Sequence, residues 1–258
     1  MYTKQDLIEN FKEIGIDPNG TLKMHSSMSA VGEVEGRADT VLDALMEYME
    51  DGLLVLPTHT WSQENNENDI FNPRTEESCV GILTNLFWKR KNVYRSLHPS
   101  HSVAAYGKEA KEFIKGEENR RTPCPRDGVY GKLYDREAQI LFLGCDLTSN
   151  TFIHGVEEWN NIPNRLSDKP INYKVVKSED EIIECPMHYH SSPVENISFH
   201  YHILTKPLLE LGIAVKGQIG DAASYLCQAK EMADLTSEFL QKDPDLFINE
   251  DPIPEEWY

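Results

Sequence analysis

Four short runs of strand character, Leu22–Met24, Leu53–Leu56, Ser102–Tyr106 and Ile140–Leu143, alternate with stretches whose apolar residues recur at helical spacing. Leu53–Leu56 and Ile140–Leu143 are continuous apolar runs, the pattern of strands buried on both faces. The helical sets are Leu7, Ile8, Phe11 and Ile14 within Lys4–Ile14, then Val41, Leu42, Leu45, Tyr48 and Met49, then Val80, Leu83, Leu86 and Phe87. Each places its apolar residues on one face of a helix. This alternation calls for a layered α/β fold.

The second half changes character. Tyr173–Val176 and Glu181–Cys185 flank a polar turn at Lys177–Asp180 and read as a hairpin. A helical pattern follows through Phe199, Ile203, Leu208 and Leu211, with Pro207 starting or kinking part of it. A last long helix is expected over Ala222–Leu240, with Asp221 as its N-cap after Gly220. The predicted sheet is parallel with an antiparallel extension. No repeat, low-complexity tract or long linker interrupts the chain, so one continuous domain is expected.

Its 258 residues suffice for one sizeable domain. Asp and Glu number 43 against 25 Lys and Arg, a net charge of -18. Such a surface repels nucleic acid and anionic lipid and concentrates cationic ligands, although solubility alone also accounts for it. No apolar run approaches the roughly 20 residues of a membrane-spanning helix, and the N-terminus lacks a signal-peptide core. The five cysteines are odd in number and without C-x-x-C spacing, which points to reduced thiols. A soluble, cytoplasmic protein is expected.

The most informative stretch is Ile140–Trp159, ILFLGCDLTSNTFIHGVEEW. An apolar strand ends at Gly144, and Ser149 or Asn150 caps a helix starting near Thr151. His154 then shares a helix face with Glu157 and Glu158 at i+3 and i+4. A carboxylate there fixes the imidazole tautomer and raises its basicity, leaving the other nitrogen for a substrate. The same spacing also suits a plain His–Glu pair on a solvated helix. Three further clusters fall beside predicted strands: Lys23-Met24-His25-Ser26-Ser27, Pro57-Thr58-His59-Thr60-Trp61-Ser62, and Arg95-Ser96-Leu97-His98-Pro99-Ser100-His101-Ser102. Each alone is an ordinary loop. Together, with similar chemistry at three strand ends, they point to one shared cleft.

Other chemistries find less support. His188-x-His190 and His200-x-His202 invite a metal reading, but no third ligand is spaced as in a known zinc motif. Cys145 closes an apolar strand beside Asp146, a setting for a small buried hydrophobe rather than a nucleophile. The phosphate-binding, dinucleotide and nucleophile-elbow glycine motifs are all missing from the sequence.

In order along the chain, the segments MHSSMSAVGEVEGRADTVLDAL, GLLVLPTHTWS, RSLHPSHSVAAYG, GKLYDREAQILFLGCDLTSNTFIHGVEEW and GQIGDAASYLCQAKEMADLTSEFL resemble the aminoglycoside 3-N-acetyltransferase family. The likeness runs from about residue 21 to 245. It implies a three-layer α/β/α fold with a mixed, mostly parallel sheet and an antiparallel hairpin extension. One antibiotic N-acetyltransferase-like domain over 1–258 is expected, with a small lobe around 160–205. The resemblance also implies acetyl-coenzyme A as donor, His154 as the catalytic histidine and Glu157 as its partner acid. Ser26, Ser27, Thr60 and Ser102 match segments lining the coenzyme A cleft, whose phosphates need Arg74, Arg90, Arg95 or backbone amides. The sequence departs from the family at 185–192, which carries histidines and hydroxyls where the antibiotic-modifying members place acids.

The expected activity is acetyl-coenzyme A-dependent acetylation of a primary amine of an aminoglycoside or related amine, with His154 as general base. The expected partners are coenzyme A and a small cationic amine, with neither nucleic acid nor membrane; no metal is expected, and a homodimer is the candidate assembly. Two alternatives stand beside it: a non-catalytic coenzyme A- or polyamine-binding protein, and a metal-dependent hydrolase using His188 and His190.

Overall fold

The computed structural model describes residues 1–63 and 70–258. The main sheet contains β1 (Thr21–Ser26), β2 (Leu53–Pro57), β4 (Tyr94–Arg95), β5 (Val103–Gly107), β6 (Gln139–Leu143), β9 (Ala214–Ile219) and β10 (Ala222–Gln228). Their order across it is β4-β5-β2-β1-β6-β10-β9. A small second sheet joins β3 (Ile70–Phe71), β7 (Ile171–Val176) and β8 (Ile182–Met187).

Side-chain alternation along the central strands makes two cores. Leu54 and Leu56 of β2 and Leu141 and Leu143 of β6 face one core; Leu53, Val55, Ile140 and Phe142 face the other. The first core is closed by α1 (Lys4–Ile14), α2 (Ala38–Tyr48) and α3 (Ile82–Phe87). The second is closed by α4 (Ala110–Phe113), α5 (Val129–Asp135), α6 (Thr151–Trp159), α7 (Thr205–Glu210) and α8 (Ala229–Lys242). The result is the expected α/β/α sandwich. α1 shows why such helices form where they do. A capping box between Thr3 and Asp6 starts it, Leu7, Ile8, Phe11 and Ile14 bury one stripe, and Gly15 ends it at φ 92°.

The sheet is mixed, but parallel pairing is confined to β1 with its neighbours β2 and β6. The remaining pairs are antiparallel, so the sheet is less parallel than expected. Nor does the predicted hairpin at 173–185 extend the main sheet. It pairs as β7–β8 with β3 around its own core of Phe71, Tyr173, Val175, Cys185 and Met187. The antiparallel extension is β9–β10 instead.

That hairpin corrects the predicted last helix, which begins at Ala229 rather than Ala222. Ile219 pairs with Ala222, so Gly220 and Asp221 form a two-residue turn. Gly220 has φ 58°, and a Cβ there would meet the Val31 carbonyl oxygen at 2.4 Å. Ala222, Ser224 and Leu226 are buried while Ala223 is exposed, a strand period. Asp221 accepts a hydrogen bond from the Tyr2 hydroxyl at 2.8 Å and caps nothing. The pattern around Phe199 and Ile203 is a 3₁₀ helix, Ile197–Leu204, running into α7, with Pro207 in the first turn of α7.

Among the described residues no helix is long and apolar enough to cross a membrane.

Candidate active site

The C-terminal ends of β1, β2 and β6 open on one cleft of about 870 Å³. Ser26, Pro57, Ser100 and Thr148 line it together with His25, His59, His101, His154 and His190. The three strand-end clusters seen in the sequence therefore meet.

His154 enters from α6. Asn150 is fully buried and caps that helix by accepting the Phe152 N–H at 3.3 Å, which fixes the direction in which the helix leaves β6. Glu157 lies one turn on, at i+3, with no exposed surface. Its Oε1 accepts from Arg165 Nε at 2.6 Å and its Oε2 from the Tyr201 hydroxyl at 2.6 Å. The Tyr201 oxygen is also 2.7 Å from His154 Nδ1. Because the single Tyr201 proton goes to Glu157, this oxygen accepts from Nδ1–H, and Nε2 is left as the basic nitrogen. The direct His154 Nδ1 to Glu157 Oε2 distance is 3.6 Å, so the hydroxyl mediates the contact. Burial by itself would raise the Glu157 carboxyl, but His154, Arg165 and Tyr201 outweigh it and hold the group below its ordinary value. Burial and the facing Glu157 charge push the Tyr201 phenol well above 10.

A stack of imidazoles continues the wall. His190 lies over His154 with centroids 4.1 Å apart and planes at 27°, His101 meets His190 edge-on at 4.9 Å, and His59 follows at 4.7 Å. Burial holds His25, His59, His101 and His190 well below the usual histidine range, and His98 at about 4. These rings are neutral at pH 7, so the wall carries hydrogen-bonding capacity but no fixed charge.

Beneath them sits Lys23, fully buried on the central strand, its Nζ 2.5 Å from His25 Nε2. Burial lowers its ammonium to about 7. His59 Nε2 is 2.9 Å from the Tyr130 hydroxyl, and Lys23 lies 5.5 Å from the centroid of that ring.

The residues expected to line the coenzyme A cleft separate. Ser26 lines it. Ser27 has its N–H bonded to the Leu143 carbonyl at 2.8 Å and its hydroxyl beside that of Ser29. Thr60 and Ser102 are buried, donating their hydroxyls to the carbonyls of Pro99 and Thr58 at 2.6 and 2.7 Å. Both brace the continuation of the β2–β5 pairing, and neither is among the residues that line the cleft. Of the three arginines, Arg90 pairs with Asp39 and Asp43, and Arg95 donates to the carbonyls of Thr58, Pro73 and Glu76.

His188 and His190 do not converge on one point. His188 Nδ1 is 2.6 Å from the Ser167 carbonyl oxygen, whereas His190 joins the stack. Cys124, Glu158 and His190 do bring a thiol, a carboxylate and an imidazole within 4.8 Å of one another. Burial raises the Cys124 thiol well above 9 and Glu158 to about 7, and Glu158 accepts the Cys124 N–H at 2.9 Å. Burial likewise raises Cys145 to about 11, against a nucleophilic thiolate.

Tyr201 and Arg165 are the site residues that the sequence pattern does not disclose. They lie 44 and 8 residues beyond Glu157 without a motif linking them to it.

The family model for aminoglycoside 3-N-acetyltransferase matches residues 24–241, and the chain belongs to that family of acyltransferases. Among curated relatives, the SPbeta prophage-derived aminoglycoside N(3')-acetyltransferase-like protein YokD of Bacillus subtilis is 31% identical over 178 residues. That match spans 60% of this chain and 64% of the relative. Aminoglycoside N(3)-acetyltransferase IV from Salmonella is 24% identical across 96% of this chain and 91% of its own. Among solved structures, the apoenzyme of aminoglycoside acetyltransferase AAC(3)-IVa superposes with a TM-score of 0.79 at 24% identity, covering 95% of this chain and 91% of its own. AAC-IIIb in binary complex with CoASH gives 0.81 at 19% identity, covering 98% of this chain and 99% of its own. These structures share the fold.

Proposed function

We propose that the chain transfers the acetyl group of acetyl-coenzyme A to a primary amine of an aminoglycoside or related amine, with His154 as general base. The observation that carries this reading is the Nδ1–H of His154 directed through Tyr201 to the buried Glu157 carboxylate. It presets the tautomer whose Nε2 accepts a proton. An ammonium group must first lose a proton to become a nucleophile. The neutral amine then adds to the thioester carbonyl, and Nε2 takes the second proton as the C–N bond forms. The C–S bond breaks, and the imidazolium returns its proton to the departing thiolate. General-base assistance of this kind typically contributes about 10²–10⁴-fold. Glu157 stabilises the transient imidazolium without itself being protonated, as Arg165 holds its carboxylate charged.

Transfer is direct, because burial keeps both Cys145 and Cys124 in the thiol form. We place the activity in a single domain over 1–258 and in the cytoplasm, where coenzyme A and reduced thiols are found together, with a homodimer as the candidate assembly. Release of coenzyme A thiol, measured with a panel of primary amines, tests the reading. Amine-dependent release supports it, and binding of acetyl-coenzyme A without release under any amine would leave only a binding protein.

A further inference from the structure

We propose that Cys124, Glu158 and His190 form a zinc site beside His154, and that zinc held there inhibits the enzyme. The ion is a reversible inhibitor and has no part in acetyl transfer. Binding follows from the geometry alone, whereas its effect on turnover rests on the function proposed above.

The three residues come from separate segments: Cys124 from the loop before α5, Glu158 from the last turn of α6, and His190 from just after β8. One donor atom of each lies within 4.8 Å of the other two. Cys124 Sγ and His190 Nε2 are 3.8 Å apart. A tetrahedral zinc, with Zn–S about 2.3 Å and Zn–N about 2.0–2.1 Å, holds such a pair about 3.6 Å apart. Closing the site therefore asks for small side-chain movements. The outer partners are already in place. The Cys124 N–H donates to Glu158 Oε1 at 2.9 Å, and Thr122 hydrogen-bonds the same carboxyl group. The Ser191 N–H donates to the Arg165 carbonyl at 3.1 Å, and that carbonyl also bonds the His190 ring. Outer hydrogen bonds of this kind orient the ligands of metal centres.

The donor set selects the ion. A thiolate, an imidazole and a carboxylate suit zinc, whereas magnesium and calcium take oxygen ligands. The site also balances charge. On binding, Cys124 and Glu158 give up to solvent whatever protons they carry, and no electron moves. The two anions then cancel the charge of the ion beside a neutral His190. An ion neutralised by its own ligands can be buried where a lone charge could not. His190 and Thr151, whose carbonyl lies 3.7 Å from Cys124 Sγ, both line the catalytic cleft. Zinc can enter from there, and cleft water can fill the fourth position. The consequence for catalysis comes through the stack, in which the His190 ring lies over His154 with centroids 4.1 Å apart. A cation bound to His190 repels the imidazolium that His154 must become, so the general-base step slows.

The test uses the full chain, stripped of metal with a chelator, beside Cys124→Ser and Glu158→Gln. Calorimetry with Zn²⁺ is expected to give one site per chain in the wild type. Binding should be at least about tenfold weaker in both variants, the loss that even removal of an outer partner causes. Co²⁺ in place of zinc is expected to give a thiolate-to-cobalt absorption band with the wild type and with Glu158→Gln, and none with Cys124→Ser. Glu158→Gln keeps the cysteine, so it reports on the site even if Cys124→Ser fails to fold. Amine-dependent release of coenzyme A should be equal in metal-free wild type and Cys124→Ser. Added zinc should inhibit the wild type, Glu158→Gln only at about tenfold higher concentration, and Cys124→Ser not at all; that last variant controls for zinc taken up by the released thiol. No stoichiometric zinc, a band that survives in Cys124→Ser, or equal inhibition of all three proteins overturns the proposal. So does zinc bound to an active wild type without effect on its turnover. A wild type that binds zinc through Cys124 but releases no coenzyme A with any amine would refute the transferase reading and leave the metal site standing.

Discussion

The Tyr201 hydroxyl lies 2.7 Å from His154 Nδ1 and gives its own proton to Glu157, so the imidazole and the acid are coupled through a phenol rather than directly. In the proposed mechanism His154 is the group that meets the reacting amine. His154→Ala is expected to lower kcat by at least ~10² while leaving acetyl-coenzyme A affinity nearly unchanged, since a general base acts in the transition state. Steady-state kinetics and calorimetry with the donor check this together. Near-normal turnover would make the histidine structural.

Tyr201→Phe removes the bridging oxygen but keeps the ring that packs edge-on against Phe247 and His154. Glu157 at 3.6 Å then becomes the remaining anchor for Nδ1. A fall in kcat of about tenfold is expected, smaller than that of His154→Ala, with KM for both substrates little changed. Unchanged kcat would show that the imidazole needs no such positioning.

Glu157 also bears on stability. It is fully buried against Arg165, itself 3% exposed, so Glu157→Gln leaves a buried guanidinium without its countercharge. That loss costs roughly 3–5 kcal/mol by the behaviour of buried pairs broken on one side. Because the carboxyl is held below its ordinary value of 4.5, its stabilisation is complete above the normal glutamate range. It disappears as pH falls through the lower folded value. Thermal melts from pH 7 down to 3 should therefore show a steeper acid loss in the wild type than in Glu157→Gln.

Much of this arrangement is legible in the sequence, and the limits have physical causes. Continuous apolar runs identify β2 and β6, and helical spacing puts Glu157 and Glu158 beside His154, because both signals are local; only the family resemblance singles out Glu157. Tyr201 is invisible because its contact is made only when a 3₁₀ helix from a distant segment closes over α6. Ala222–Gln228 reads as helix because alanine is a good helix former; pairing with β6 and β9 overrides that propensity. Thr60 and Ser102 resemble binding residues in sequence, yet a buried hydroxyl must find a partner, and backbone carbonyls take both.

Replacing Lys23 is expected to stabilise the protein, where replacing Glu157 destabilises it. Its amine titrates at about 7 in the folded chain, below the ordinary 10.5. Between those values the unfolded chain binds a proton that the folded chain does not, so stability rises with pH across that window. Lys23→Met is expected to flatten the rise and to stabilise the protein at pH 7 by at least ~1 kcal/mol, even after His25 loses its partner. Denaturant unfolding at pH 7 and 9.5 measures both effects, and an equal slope in the two proteins would show that Lys23 is not the titrating group.

The acceptor is where the cleft and the family part company. Tight recognition of a polycationic sugar needs carboxylates set against individual ammonium groups, each charge-assisted bond contributing roughly 1.5–3 kcal/mol. Among the described residues of the lining, Glu195 is the single carboxylate. The other nearby acids are committed elsewhere: Glu157 to Arg165 and Tyr201, Glu158 to the Cys124 N–H, and Asp146 to Thr148. In their place stand neutral imidazoles, serine hydroxyls, and two half-exposed aromatic rings, Trp61 at 50% and Phe199 at 57%. A neutral imidazole accepts a hydrogen bond but offers no countercharge, while the exposed rings favour an apolar body. The expected outcome is weak activity on typical aminoglycosides, with high Michaelis constants, and better turnover of a primary amine that carries fewer positive charges beside an apolar or aromatic group. Steady-state kinetics at moderate salt and neutral pH, with several aminoglycosides against a series of monoamines, decides the matter. Efficient turnover of an aminoglycoside at low micromolar concentration would mean that carboxylates beyond this lining perform the recognition and that the histidine-rich wall does not set the acceptor.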